Sequence, residues 1–215
     1  MSLKLMLLFI LCLAFVISTN AQNQKSEPVK KDDSQYRQLV EKIKGGDMSV
    51  NFGLLRRAYT EWANDKSNAD EAPNRAAMVK AFENKDYATA VKLGEGIVDY
   101  EILNRGLLLA MEDAYRKLGN TAKADFYRDL AEKVGHSLFL SGDGKTAQTA
   151  YYVLGIPEEY RVMREFGYTV SMQSLLNIDG QAFDLLSGKD EKGNKVELYF
   201  NICSFFPGCT KKAAK

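Results

Sequence analysis

The chain has 215 residues, with 29 Lys and Arg set against 28 Asp and Glu and a single His, for a formal net charge of +1. That balance excludes a general nucleic-acid binder, which needs a basic excess, and it leaves no strong field to steer a charged partner. With 46% hydrophobic residues the length suits one sizeable core or two small ones.

In chain order, Lys4 precedes an apolar run over residues 5–17, and the small residues Ser18, Thr19, Asn20 and Ala21 follow it. This predicts a signal peptide over 1–21 cleaved after Ala21. A membrane anchor needs about 20 apolar residues, more than this run holds. Cys12 lacks the small residues that should precede a lipidated cysteine, so a lipoprotein is not expected. Cleavage removes Lys4 alone among the charged residues and leaves 28 of each sign. The mature chain is expected to be secreted or periplasmic, with no membrane span after cleavage.

Residues 22–33 are polar, contain Pro28 and read as a flexible leader. Ser34 can cap a helix with Tyr36, Leu39, Val40 and Ile43 on one face, stopped by Gly45 and Gly46. A second helix follows Asn51, with Leu54, Leu55, Ala58 and Trp62 as its apolar positions, and residues 64–74 have the composition of a surface loop. From 75 to 134 the pattern is helical and nearly repeats itself. Asp86-Tyr87-Ala88-Thr89-Ala90 is echoed 34 residues later by Asn120-Thr121-Ala122-Lys123-Ala124, the interval of a tetratricopeptide unit. Only about two units are visible, so the helical layer needs cover from the rest of the domain.

Beyond Val134 the pattern turns to loops and strands. His136, Leu138-Phe139-Leu140 and a Gly142-Asp143-Gly144 loop lead to an apolar run, Ala150 to Leu154, and Pro157 opens a short helix. Residues 168–178 meet 181–186 across Asp179-Gly180, a hairpin signal, and a second turn at 188–194 leads into 196–202, where Val196, Leu198, Phe200 and Ile202 alternate. The expected fold is α+β: an N-terminal tetratricopeptide-like helical layer packed on a C-terminal antiparallel β-meander. It forms one domain over 34–209, with a helical part at 34–134, a sheet part at 135–209 and a basic tail at 210–215.

Cys203 and Cys209 remain after cleavage, and in an exported chain they read as a disulfide. A redox or metal pair is the competing reading. Redox pairs usually sit two residues apart, however, and zinc needs further ligands that a lone, distant His136 does not provide. No cofactor or metal is expected.

Several motifs taken together resemble a family of small secreted bacterial proteins classed as a domain of unknown function, DUF4919. They are residues 51–59 (Asn51-Phe52-Gly53-Leu54-Leu55-Arg56-Arg57-Ala58-Tyr59), Gly142-Asp143-Gly144, Glu158-Glu159-Tyr160, and the closing Leu198-Tyr199-Phe200-Asn201-Ile202. The resemblance runs from about Ser34 to Ile202. It implies a single continuous domain in a bacterial secreted setting and no known activity; the Cys203 to Cys209 extension stands outside it.

The chemical candidates are few. Gly142 to Thr146 ends in Gly-Lys-Thr, but a phosphate loop requires glycine where Phe139 stands, so a tight turn is expected. His136 can act as a base or ligand, or cap the helix and pack at the helix-to-sheet junction. Asp143 or Glu159 could join it in a hydrolytic site. Tyr151, Tyr152, Tyr160, Tyr168 and Tyr199 could line a peptide or glycan site. The preferred expectation is a binding or interaction module with a groove between the helical layer and the sheet. Its partner is unknown, a protein or peptide ligand outside the cytoplasm being the natural kind. The alternative is an extracellular hydrolase using carboxylates with His136.

Overall fold

In the computed structural model, residues 34–63, 75–207 and 209 are described. The expected signal peptide, leader, 64–74 loop and basic tail lie outside the described residues. Helix α1 spans Gln35–Lys44, and the Ser34 hydroxyl accepts from the Arg37 N–H at 3.3 Å to cap it. Helix α2, Phe52–Ala63, begins where the Asn51 side chain accepts from the Leu54 N–H at 2.9 Å. Its buried stripe is Leu55, Arg56, Ala58 and Trp62. Leu54, expected on that stripe, is exposed, and an arginine occupies the interior instead. Tyr36 and Trp62 pack with ring centroids 4.8 Å apart and close α1 onto α2.

Helices α3 (Arg75–Glu83), α4 (Tyr87–Glu101), α5 (Arg105–Lys117) and α6 (Thr121–Phe139) follow. The sequence near-repeat returns here as a repeated turn. Asp86 caps α4 through the Thr89 N–H and Asn120 caps α6 through the Lys123 N–H, each at 3.1 Å. The N–H of Asp86 bonds the carbonyl of Ala81, and 34 residues on the N–H of Asn120 bonds that of Tyr115, both at 2.9 Å. The residue before each cap is left-handed: Gly119 at φ 75°, and Lys85, its counterpart, at φ 60°. Ala90 and Ala124 are both fully buried where paired helices approach.

Helix α6 corrects one expected boundary. The helical part does not end at 134 but continues through Gly135 and His136 to Phe139. Val134 belongs to the helical core and Leu138 to the core beneath the sheet, so this 19-residue helix serves both.

The sheet has the order β1-β4-β3-β2. Strands β2 (Thr169–Ile178), β3 (Gln181–Lys189) and β4 (Lys195–Asn201) form the expected antiparallel meander. The hairpin turn places Asp179 at φ 52° and Gly180 at φ 74°, the two left-handed residues that a primed turn requires. The sheet is nonetheless mixed, because β1 (Tyr151–Tyr152) pairs in parallel with β4. A two-residue strand lacks enough length to show alternation, so its sequence reads only as an apolar run. Helix α7 (Ile156–Glu165) crosses from β1 to β2 and buries Glu159, Val162 and Met163. The Cys203 and Cys209 sulfurs stand 2.14 Å apart, positioned for a disulfide, and both pack against the N–H of Ala182 at the head of β3. No helix among the described residues is long and apolar enough to cross a membrane.

The contact of α4 with α5 depends on a missing side chain. A Cβ built on Gly94 would lie 2.2 Å from the Met111 sulfur. Gly94→Ala is therefore expected to lower stability to urea unfolding by about 1–3 kcal/mol. Gly96→Ala, on the same helix and facing open space, should leave stability unchanged or raise it by up to about 1 kcal/mol. Equal effects at the two positions would contradict this packing.

Candidate functional site

The site grows out of the buried arginine of α2. Arg56 is 1% exposed and donates through Nη2 to Glu158 Oε2 and, at 3.2 Å, to the Tyr152 carbonyl of β1. The same Glu158 oxygen accepts from the Leu154 N–H at 2.8 Å. Tyr152 returns the contact, its hydroxyl donating to Thr60 Oγ1 at 2.8 Å while Arg57 lies 5.6 Å over its ring. Arg56 Nε and Nη1 are buried without an acceptor, so the guanidinium depends heavily on the one carboxylate it reaches. This contact joins two of the motifs that carry the family resemblance, residues 51–59 and 158–160.

Beside that junction lies a cleft of about 390 Å³ between the helical layer and α7. Tyr59 comes from α2, Arg105 and Gly106 from the first turn of α5, and Glu158 and Arg161 from α7; Leu103, Leu154 and Pro157 supply apolar wall. Its carboxylates are already engaged: Glu101 by Arg75 and by the Asn104 amide at 3.0 Å, Glu158 by Arg56. Arg161 has a long contact to Glu165 at 3.4 Å and lies 5.5 Å over the Phe139 ring. Arg105 has no carboxylate partner among the described residues, and its Nε is buried without an acceptor. Both guanidinium groups press on Gly135 of α6, where an added Cβ would be 3.2 Å from Arg105 Nε and 3.0 Å from Arg161 Nη2. The glycine just past the expected helical boundary at 134 is thus an interior residue kept small for two arginines.

The residues singled out from sequence do not converge. His136 is exposed in the last turn of α6, where its carbonyl, not its ring, accepts the closing N–H of Leu140 at 3.2 Å. It lines an open groove of about 780 Å³ with Asn51, Phe52, Asp129, Glu132 and Lys133, and neither Asp143 nor Glu159 borders that groove. Asp143 is an exposed turn residue whose carboxyl is held below its usual range by Thr149 and by the Lys145 N–H, the latter at 3.0 Å. The loop is the expected tight turn: Asp143 and Gly144 donate to the Thr149 carbonyl at 2.9 and 2.8 Å. Of the five tyrosines, Tyr151 is buried against Phe200 and Tyr152 holds the junction; none of the five borders the cleft.

Glu159 is the third candidate, and it is fully buried between α7 and the sheet. Neither oxygen receives a hydrogen bond from a donor. Asp184 of β3, itself 6% exposed, lies against it and is held by the Gln173 amide at 2.7 Å, while Tyr160 donates to the other end of Gln173 at 3.0 Å. Burial first, then the charge of Asp184 and a hydrogen bond to it, push the Glu159 carboxyl from 4.5 up to about 8. A neutral acid at Glu159 that donates to the Asp184 carboxylate accounts for the absence of any other donor. Arg56, Arg105 and Gly135 were not anticipated from sequence as site residues. For Arg56 the signal exists, since it sits four residues after Phe52 and three before Tyr59 on the apolar face.

The folded state keeps the Glu159 proton that the unfolded chain releases near pH 4.5, so its contribution is complete below that pH and is lost as pH rises toward about 8. The loss is at most about 1.4 kcal/mol per pH unit. Glu159→Gln keeps the shape and a donor without the titration. Urea melts at pH 5 and pH 8 should show the wild type losing more stability across that interval than the variant; parallel losses would contradict the shared proton.

The comparisons bear on the chain as a whole. No curated protein and no solved structure matches it. The family described as Domain of unknown function (DUF4919) matches over residues 17–207, and the chain belongs to that family.

Proposed function

We propose that the protein is a binding or interaction module working outside the cytoplasm, with its ligand held in the cleft between the helical layer and α7. The extracytoplasmic setting follows from the signal peptide read over residues 1–21. The tetratricopeptide-like reading of the helical layer draws support from the repeated turns at Asp86 and Asn120. The observation that carries the proposal is the cleft lining: side chains from α2, α5 and α7 meet there, with both carboxylates occupied by arginines and Arg105 left without one. Such a surface favours holding a ligand over performing chemistry on it, because neither carboxylate is free to move a proton.

Gly106 offers a direct block. It is exposed in the lining, and a side chain built there would meet only the Asn104 oxygen, at 3.5 Å. In a thermal-melt screen of peptides, oligosaccharides and small organic acids, any ligand that raises the melting temperature of the wild type should fail to do so for Gly106→Trp. A ligand that stabilises both proteins equally would place the binding surface elsewhere.

A further inference from the structure

We infer that the cleft is a carboxylate site: Arg105, with Arg161 beside it, receives the C-terminal carboxylate of a peptide, and Leu154 and Pro157 take the terminal side chain. This rests on the cleft being the ligand site and names the chemistry it recognises. The first argument is the orphaned donor. A buried guanidinium N–H left without a protein acceptor costs free energy, as Arg105 Nε is, and Arg105 lines the cleft with no carboxylate partner among the described residues. The second is geometry. Arg105 Nε and Arg161 Nη2 both approach the place a Cβ would take on Gly135, at 3.2 and 3.0 Å, so the two side chains share one patch of α6, and their planar forks match a carboxylate's two oxygens.

Charge then selects among anions. The charged lining is Arg105 and Arg161 with Glu101 and Glu158; Arg56 and Arg75 engage the two glutamates and Glu165 engages Arg161, which leaves the Arg105 charge without a counter-ion among the described residues. A single carboxylate neutralises it, whereas a phosphate dianion would overshoot. The first turn of α5 adds donors of the right sign: Asn104 takes the Leu107 N–H, and the N–H groups of Arg105 and Gly106 have no intrahelical acceptor. The apolar wall argues for more than a bare ion, since a small free acid would leave Leu154 and Pro157 uncovered.

The test uses N-acetyl-Ala-Leu, N-acetyl-Ala-Phe and N-acetyl-Ala-Ala as free acids, their C-terminal amides, and inorganic phosphate. Binding is followed by chemical-shift titration of the full mature chain. The acids are expected to bind and the matched amides to bind roughly tenfold more weakly or worse, the loss of one charged hydrogen-bonding partner. Arg105→Gln should weaken acid binding by a similar factor, and Arg105→Lys, which keeps the charge but not the fork, by less. Arg128→Gln, paired with Asp125 on the exposed face of α6, should change nothing. Circular dichroism confirms that each variant is folded, and the Lys variant carries the test if the Gln variant is not.

Amides that bind as well as acids, acids indifferent to both Arg105 variants, phosphate that binds more tightly than every acid, or no binding by any acid would each overturn the inference. Acids and amides that bind alike and are both excluded by Gly106→Trp would overturn the carboxylate assignment while leaving the cleft as the ligand site. Binding that survives Gly106→Trp would overturn both.

Discussion

The structure turns on one buried contact, the Arg56 guanidinium of α2 with the Glu158 carboxylate of α7. Burying an arginine to 1% exposure is expensive, and two of its donors, Nε and Nη1, stay unsatisfied. Everything around it answers that cost. The Tyr152 carbonyl takes a second bond and so fixes β1 against the helical layer, and Leu154 donates to the same glutamate and fixes the entry to α7. A guanidinium rather than an apolar side chain at this point has a structural consequence: it reaches across two layers that have separate hydrophobic cores.

The cleft is a by-product of that arrangement. With Glu158 drawn toward Arg56, α7 stands beside the start of α5, and Arg161 and Arg105 are brought over the same patch of α6. Gly135 is what lets them fit. The second acidic device sets Glu159 against Asp184 on the other side of α7, where burial and the Asp184 charge push the Glu159 carboxyl up, so two acids meet there rather than an ion pair. Neighbouring glutamates at 158 and 159 therefore do opposite things. One faces an arginine and the other faces a carboxylate, and the difference comes from which face of α7 each occupies.

Much of the fold was legible in the sequence because its signals are local. Ser34, Asn51, Asp86 and Asn120 cap helices through their own neighbours, the 34-residue echo marks equivalent turns, and Asp179-Gly180 dictates its hairpin. The errors fall where a distant partner overrides a local rule. The helical part is expected to end at Val134, yet Gly135 lies inside α6, packed against Arg105 and Arg161, 30 and 26 residues away. Strand β1 is too short to show periodicity and exists through its pairing with β4. Glu159 was legible as a notable carboxylate, yet its role depends on Asp184 across the sheet, and His136 and Asp143 end in separate surroundings. The cleft itself was not legible, because its lining is drawn from three stretches that meet only in the folded chain.

The central claim is that Arg56 and Glu158 act as one unit joining the helical layer to α7. A double-mutant cycle measures that unit directly, with Arg56→Met, Glu158→Gln and the double variant unfolded in urea. Each single change should be strongly destabilising, because it strands the other group, and the double variant should recover part of the loss, with a coupling of about 2 kcal/mol or more. A coupling below about 0.5 kcal/mol, with the two losses simply adding, would show that the contact does not hold the layers together.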